Sequence, residues 1–376
     1  MSQSTTALLL PEVGAPFELR EVFLAPLQPD EVLVEIRATG LCHTDLSFAN
    51  GTLPCSPNAV LGHEGAGVVI EAGSAAGDLN PGDLVLLSFS HCETCAACES
   101  GHPSYCYSFN DRNFPGHRPD GSKAMSLKPS TEPGDNGIFS SFFGQSSFAR
   151  RTLAHKTCVV KVPAGTNLSL FAPLGCGIQT GAGAVLNTLD VKPNSSLVVF
   201  GAGSVGMASI MAGAIRGAKT IIAVDLQAER LDLAKQVGAT HGIQAGPDTD
   251  VVAEIRRLCP PNGANFAVDC TGSPKVVRTM VDSLGTRGRA ATVGAPSFGV
   301  EVPLHIMDVL VYGKEYVGCC EGDSQPAKFI PYLIEQYAQG KLPLEKLITV
   351  YKMADYEKAI HDVHSGKTVK AVLTWD

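Results

Sequence analysis

One stretch constrains this chain more than any other: a strand, a turn and a helix built on Gly201-Ala-Gly203-Ser-Val-Gly206. Ser196–Phe200 (SLVVF) is a continuous apolar run, as a strand covered on both faces requires, and Val205–Arg216 is an apolar segment of helix length. Joining the two by G-x-G-x-x-G has a physical meaning. The first Gly permits the tight turn, the second lets the backbone approach a pyrophosphate, and the third lets helix and strand pack closely. The helix N-terminus adds unpaired N–H groups for the anion. Such turns also occur without a ligand, as a structural turn beside a surface Asp, so the surroundings decide. Thr220–Asp225 (TIIAVD) is the next strand, and Asp225 ends it about 20 residues past the turn. A carboxylate there accepts hydrogen bonds from an adenosine ribose and repels a 2′-phosphate. The pattern predicts NAD in preference to NADP.

The same rhythm continues downstream. Ala228–Val237, Asp248–Leu258 and Pro274–Leu284 carry helix patterns, and Phe266–Asp269 and Arg289–Val293 read as strands. Strands alternating with helices imply βαβ units and a parallel sheet. The region from Phe17 to about Val160 differs. Its short alternating runs, such as Glu31–Arg37 (EVLVEIR), Gly65–Glu71 and Asp83–Ser88, are broken by Gly and Pro and predict a β-rich, barrel-like domain. After a helix at Pro326–Gln339, the β-like tail Thr368–Trp375 resembles this first region and is expected to return to it. Asn110–Gly137, rich in Gly, Pro, Ser and Asp, is expected to be a long surface loop. At 376 residues the chain is too long for one ordinary core. The expected division is residues 1–177 with 321–376, and 178–320.

A net charge of −8 argues against non-specific binding to nucleic acid or to an anionic membrane. No run approaches the ~18 apolar residues of a membrane span, and Ala7–Leu10 lacks the basic lead of a signal peptide. Twelve cysteines without a secretory signal predict free thiols and metal ligation in a reducing compartment, the cytoplasm, over a disulfide framework. Cys92, Cys95, Cys98 and Cys106 supply four thiolates from one short segment, enough to close a tetrahedral structural zinc site. A thioredoxin-like CxxC would not need the other two cysteines. Cys42, His63-Glu64 and Cys176 are dispersed, and no spacing rule links them. A lone Cys is commonly a small buried hydrophobe, and His63-Glu64 lacks the second His of a metalloprotease helix.

In order along the chain, Gly40-Leu-Cys42-His-Thr44-Asp45, Gly62-His63-Glu64-Gly65-Ala-Gly67-Val, Pro81-Gly82-Asp83, the four-cysteine lobe and the glycine turn resemble the zinc-containing medium-chain alcohol dehydrogenases. The resemblance runs from about residue 5 to the end. Phe142-Phe-Gly-Gln-Ser-Ser-Phe-Ala149, Pro173-Leu-Gly-Cys176-Gly-Ile-Gln-Thr180-Gly-Ala-Gly183 and Glu321-Gly-Asp-Ser324 look most like the aryl-alcohol (benzyl alcohol) branch. The resemblance implies an α/β chain with a β-rich GroES-like catalytic domain and a doubly wound Rossmann parallel-sheet domain. It implies two zinc ions per chain, the second held by Cys42, His63 and Cys176, the Cys2His ligand set for which alcohol dehydrogenase is the standard example.

The resemblance also assigns neighbours. Asp45 matches a carboxylate that orients the His ligand, Glu64 an acid behind the zinc, and Thr44 the hydroxyl that bonds the substrate alcohol. Thr180 and Val205 match residues beside the nicotinamide, while His43, Arg230 and Lys370 match contacts to the phosphates or the adenosine side. Many members place a His that ends a proton relay where this chain has Ser47, whose hydroxyl passes a proton without storing one near neutral pH. The implied reaction is hydride transfer between a primary aryl or allylic alcohol and NAD, giving the aldehyde, in a homodimer or homotetramer. Alternatives are an S-hydroxymethylglutathione dehydrogenase, for which Arg112, Arg118 and Lys123 offer cations, a dedicated biosynthetic alcohol dehydrogenase, and a non-enzymatic relative, which would lack the three ligands that remain here.

Overall fold

The computed structural model describes residues 3–129 and 137–375. The chain forms two compact units. One takes the chain as far as Cys176, then Gln325–Ile334 and everything from Leu347 onward; the other is Gly177–Ser324 with Glu335–Lys346. Gly177 and residues 321–324 and 335–346 thus group with the second unit, where the sequence pattern puts 1–177 and all of 321–376 with the first. Residues 335–346 are tied there by contacts such as the Lys346 ammonium donating to the Gln236 carbonyl at 3.2 Å.

In the first unit the longest strand, Glu31–Gly40, organises a seven-stranded sheet. It pairs antiparallel with Gly65–Ala72, with Arg151–His155, and with Lys370–Thr374. The C-terminal tail therefore does return to this unit, and Ile348–Lys352 pairs parallel beyond it. A four-stranded sheet stands apart from it, with Gln3–Leu10 and Glu18–Leu24 at its centre. Its apolar face joins a core rich in phenylalanine that includes Phe48, Phe89, Phe139, Phe142, Phe143 and Phe148. Region 110–137 is not simply a surface loop. Met125–Ser126 pairs with Glu18–Leu24, and Arg118 is buried; residues 130–136 lie outside the described residues.

The second unit is a six-stranded, wholly parallel sheet. Its order is His241–Gln244, Thr220–Asp225, Ser196–Phe200, Ala264–Asp269, Leu284–Thr292 and Glu315–Gly318. Ser196–Phe200 is buried at every position, as its continuous apolar sequence demands. The order reverses between Ser196–Phe200 and Ala264–Asp269, and ligands of doubly wound sheets bind at the carboxyl ends of strands at such a switch. Among the described residues no single helix is long and apolar enough to cross a membrane.

Candidate functional site

The glycine turn sits at that switch point. Gly201 has φ of +89°, and a Cβ on Gly206 would collide with the Gly201 carbonyl, so helix Ser204–Ile215 can pack this closely only as it is. Gly203 instead meets nothing: a Cβ there would stand in open space, beside the N-terminus of the helix, where an anionic group can approach the backbone. Asp225 ends its strand with one carboxylate oxygen accepting from the Ala202 N–H at 2.7 Å and the other from the Gln227 N–H at 2.9 Å. Burial lowers the pKa of the nearby Arg230 guanidinium, and the Asp225 charge acts to raise it. Val205 follows the turn, and Thr180, on helix Gly177–Gly183, donates to Glu321 at 3.5 Å.

The first unit brings the dispersed residues together. The ligand atoms of Cys42, His63, Glu64 and Cys176 all lie within 4.8 Å of one another. Cys42 precedes helix His43–Ala49, and Asp45 in its first turn reaches back to the Cys42 N–H at 3.0 Å, the acidic half of a capping box. The other Asp45 oxygen accepts from the Gly62 N–H at 3.0 Å and faces His63 Nδ1 at 2.9 Å. One wholly buried carboxylate thus starts a helix, ties down a turn and aims an imidazole. His63 Nε2 is buried with no hydrogen-bond partner, which is costly unless something else completes it. Two thiols and an orphaned imidazole nitrogen, with the ring's other nitrogen on a carboxylate, fit a zinc ion, which takes thiolate and neutral imidazole ligands.

The electrostatics agree. A hydrogen bond from Cys176 holds the Cys42 thiol well below its ordinary pKa, against burial and with help from Lys370 and His63. Burial pushes the Glu64 carboxyl up to about 7, while Lys370 pulls the other way. Lys370, expected on the cofactor side, is wholly buried. Its ammonium lies 2.7 Å from the Glu64 carboxylate and donates to the Leu41 carbonyl at 3.2 Å. Thr44 Oγ lies 3.8 Å from Cys42 Sγ, Ser47 is buried in the same helix, and His43 is exposed.

A wall of rings surrounds the imidazole. Phe143 stacks on His63 at 4.5 Å between centroids, Phe142 meets it edge-on at 5.6 Å, and Phe114 and Phe48 continue the wall. The sequence pattern quoted both phenylalanines but gave them no role, since periodicity does not report on a loop that folds back over another segment.

The second cysteine cluster is local. The four sulfurs of Cys92, Cys95, Cys98 and Cys106 also lie within 4.8 Å of one another. Backbone N–H groups already point at them: Cys95 donates to Cys92 Sγ at 3.3 Å, and Tyr107 to Cys95 Sγ at 3.5 Å. Burial opposes ionisation of Cys92, but backbone donors prevail and bring its pKa down to about 6. The cations offered for a glutathione adduct fare differently. Arg118 is buried in a two-pronged pair with Glu31, at 2.6 and 2.9 Å, and Lys123 donates to the Gly116 carbonyl at 2.8 Å. Arg118 thus ties its loop to strand Glu31–Gly40 and Lys123 braces the loop itself, while Arg112 keeps a buried guanidinium nitrogen without a hydrogen-bond partner among the described residues.

A thiolate–imidazole metal cluster in a chain that also carries a dinucleotide-type parallel sheet defines a zinc-binding oxidoreductase. Residues 28–164 match the model of the alcohol dehydrogenase GroES-like domain and residues 204–338 that of the zinc-binding dehydrogenases. The chain belongs to the zinc-containing medium-chain alcohol dehydrogenase family. It is 36% identical, over 99% of its length and 98% of the relative's, to geraniol dehydrogenase of Castellaniella defragrans. It is 32% identical to an S-(hydroxymethyl)glutathione dehydrogenase of Paracoccus denitrificans, over 99% and 100% of the two chains. The solved structure of benzyl alcohol dehydrogenase from Acinetobacter calcoaceticus superposes over both whole chains with a TM-score of 0.94 at 41% identity.

Proposed function

We propose that this alcohol dehydrogenase oxidises primary aryl or allylic alcohols to aldehydes with NAD, and that each chain holds two zinc ions. The observation that carries the substrate class is the similarity over both whole chains to benzyl alcohol dehydrogenase, and the buried phenylalanines packed on His63 give the site an apolar setting that favours an aryl or allylic group, at roughly 25 cal/mol per Å2 of surface buried. The similarity to a geraniol dehydrogenase supports it. The glutathione reading keeps Arg112 but loses two of its three cations, because Arg118 is engaged by Glu31 and Lys123 by the Gly116 carbonyl.

Cys42, His63 and Cys176 hold the catalytic zinc, and Cys92, Cys95, Cys98 and Cys106 the structural one. When bound, zinc supplies Lewis acidity that acidifies an alcohol, and NAD supplies the hydride acceptor. The protein does the rest. Asp45 fixes the imidazole's tautomer and aim, and Lys370 keeps the Glu64 carboxylate paired inside the unit. Thr44's hydroxyl would accept the substrate's hydroxyl proton as it passes its own on, Ser47 being a second relaying hydroxyl and solvent water the final acceptor. Gly201, Gly203 and Gly206 cradle the pyrophosphate, Asp225 binds the adenosine ribose, and Thr180, Val205, Arg230 and His43 line the remaining cofactor path. The exposed apolar helix Ile306–Tyr312, with Ile306 at 78% and Leu310 at 69%, supports a homo-oligomer, and cysteines that form no disulfide among the described residues suit the cytoplasm.

The test joins metal analysis to a substrate panel. Freshly purified protein should contain two zinc ions per chain. Cys42→Ser should abolish turnover with the fold retained, whereas Cys95→Ser should lower stability. Benzyl alcohol, cinnamyl alcohol and geraniol should show kcat/KM values well above ethanol. One zinc in active protein, or the glutathione adduct as best substrate, defeats the reading.

A further inference from the structure

We infer that Gln145 and Ser88 form a polar clamp that sets the spacing of His63 and Cys176, which makes them positioning residues for the metal site; this rests on the assignment of those two residues as zinc ligands. Gln145 is wholly buried. Its Nε2 donates to the His63 carbonyl at 2.9 Å and to the Ser88 carbonyl at 2.6 Å, and its Oε1 accepts from the Gly65 N–H at 3.1 Å. Ser88 Oγ then donates at 2.7 Å to the carbonyl of Gly175, the residue before Cys176. An unbroken chain of hydrogen bonds therefore runs from the main chain of one ligand to the main chain beside another.

The segment that carries Gln145 is built to hold this arrangement. Ser141, Phe143 and Ser146 all have φ between 53° and 60°, a region L-residues avoid, with Gly144 between them at 71°. Strain of this kind persists only where the surroundings over-determine it, and it clusters at functional sites. The surroundings here are the histidine's own segment: Ser147 N–H donates to the Gly62 carbonyl at 2.9 Å and Phe148 N–H to the Leu61 carbonyl at 3.0 Å. Ser146 Oγ adds a bond to the Val60 carbonyl at 2.6 Å. Asp45 aims the His63 ring from its side-chain end, and the strap fixes the same residue from its main-chain end. Gln145 and Ser88 reach these two segments through main-chain carbonyls, of His63 and Gly175, so their effect passes through geometry.

The test compares zinc-loaded unmodified protein with Gln145→Met, which keeps length but removes the amide, with Ser88→Ala, and with Ser88→Thr, which keeps a hydroxyl. The readouts are the rate of zinc release to a chelator from each site and the visible spectrum after cobalt replaces zinc. Gln145→Met should release the Cys42/His63/Cys176 metal ~10–100-fold faster, the range seen when groups behind metal ligands are lost, with an altered cobalt spectrum and an unchanged four-cysteine site. Ser88→Ala should speed the same release, and Ser88→Thr should restore it. Should Gln145→Met fail to fold, Ser88→Ala against Ser88→Thr decides alone. Release rates within twofold of the unmodified protein, or equal acceleration at both sites, overturn the clamp. A single zinc in the unmodified protein overturns instead the ligand assignment beneath it.

Discussion

Replacing Asp225 with serine should invert the cofactor preference, and Coulomb's law at an assumed contact distance sizes the change. A carboxylate about 5 Å from the 2′-phosphate of NADP repels it by about 3 kcal/mol per unit charge at an effective dielectric of ~20. Relieving that repulsion raises NADP affinity about 100-fold. The same change removes from NAD a hydrogen bond to a charged acceptor, worth about 1.5–3 kcal/mol, or ~10–100-fold. The ratio of kcat/KM for NAD over NADP should therefore fall by ~10³–10⁴. Arg230, which already feels the Asp225 charge, is freed to meet the phosphate. The substitution also has a structural cost, because the Ala202 and Gln227 N–H groups lose their acceptors and a serine hydroxyl replaces only one. A fall in Tm of a few degrees should accompany the switch. The assay is steady-state kinetics with both cofactors and one saturating alcohol, beside thermal melts. Equal use of both cofactors by the unmodified protein refutes the reasoning. So does a parallel loss with both in the variant, since Asp225 would then only hold its turn together.

Two other outcomes follow from the first unit. Arg118→Met leaves the Glu31 carboxylate buried and unpaired, so unfolding in urea should show a loss of about 3–5 kcal/mol, with no selective effect on turnover of the glutathione adduct; a selective effect would return Arg118 to the substrate site. Thr44→Ala should cut turnover of a good aryl alcohol ~10²–10⁴-fold, as loss of a relayed proton step does, and Ser47→Ala far less; equal damage in pH–rate profiles would make Ser47 an obligatory relay.

Local chemistry was legible in the residues, and long-range closure was not. The glycine turn and the strand before it could be read because both are contiguous, and four of the six parallel strands follow from the same alternation. The four-cysteine lobe could be read for the same reason. The short strands His241–Gln244 and Glu315–Gly318 escaped because a run of four residues carries too little periodicity to distinguish it from a loop; helix Tyr356–His364 escaped as well. The residues around His63 were known only through a family resemblance. Cys42, His63 and Cys176 come together through sheet pairing and a folded-back strap, and no spacing encodes that. Arg118 shows the converse error. Its charge suggested a surface role, yet Glu31 lies far away in sequence and directly opposite in space.

The pairing of Lys370 with Glu64 bears on the order in which the chain matures as it is made. Residues 177–324 supply nearly all of the second unit and are complete while the first still lacks two strands, Ile348–Lys352 and Lys370–Thr374. Until residues 370–374 arrive, strand Glu31–Gly40 has an open edge at Ala38–Gly40, and Glu64 has no ammonium to balance it in the core. The metal-binding unit therefore begins synthesis first and finishes last, and its ligands reach their final setting only when the final strand docks. During elongation the parallel-sheet unit is fully translated before the last strands of the first, and Cys42 and Cys176 precede Lys370 by about 330 and about 190 residues.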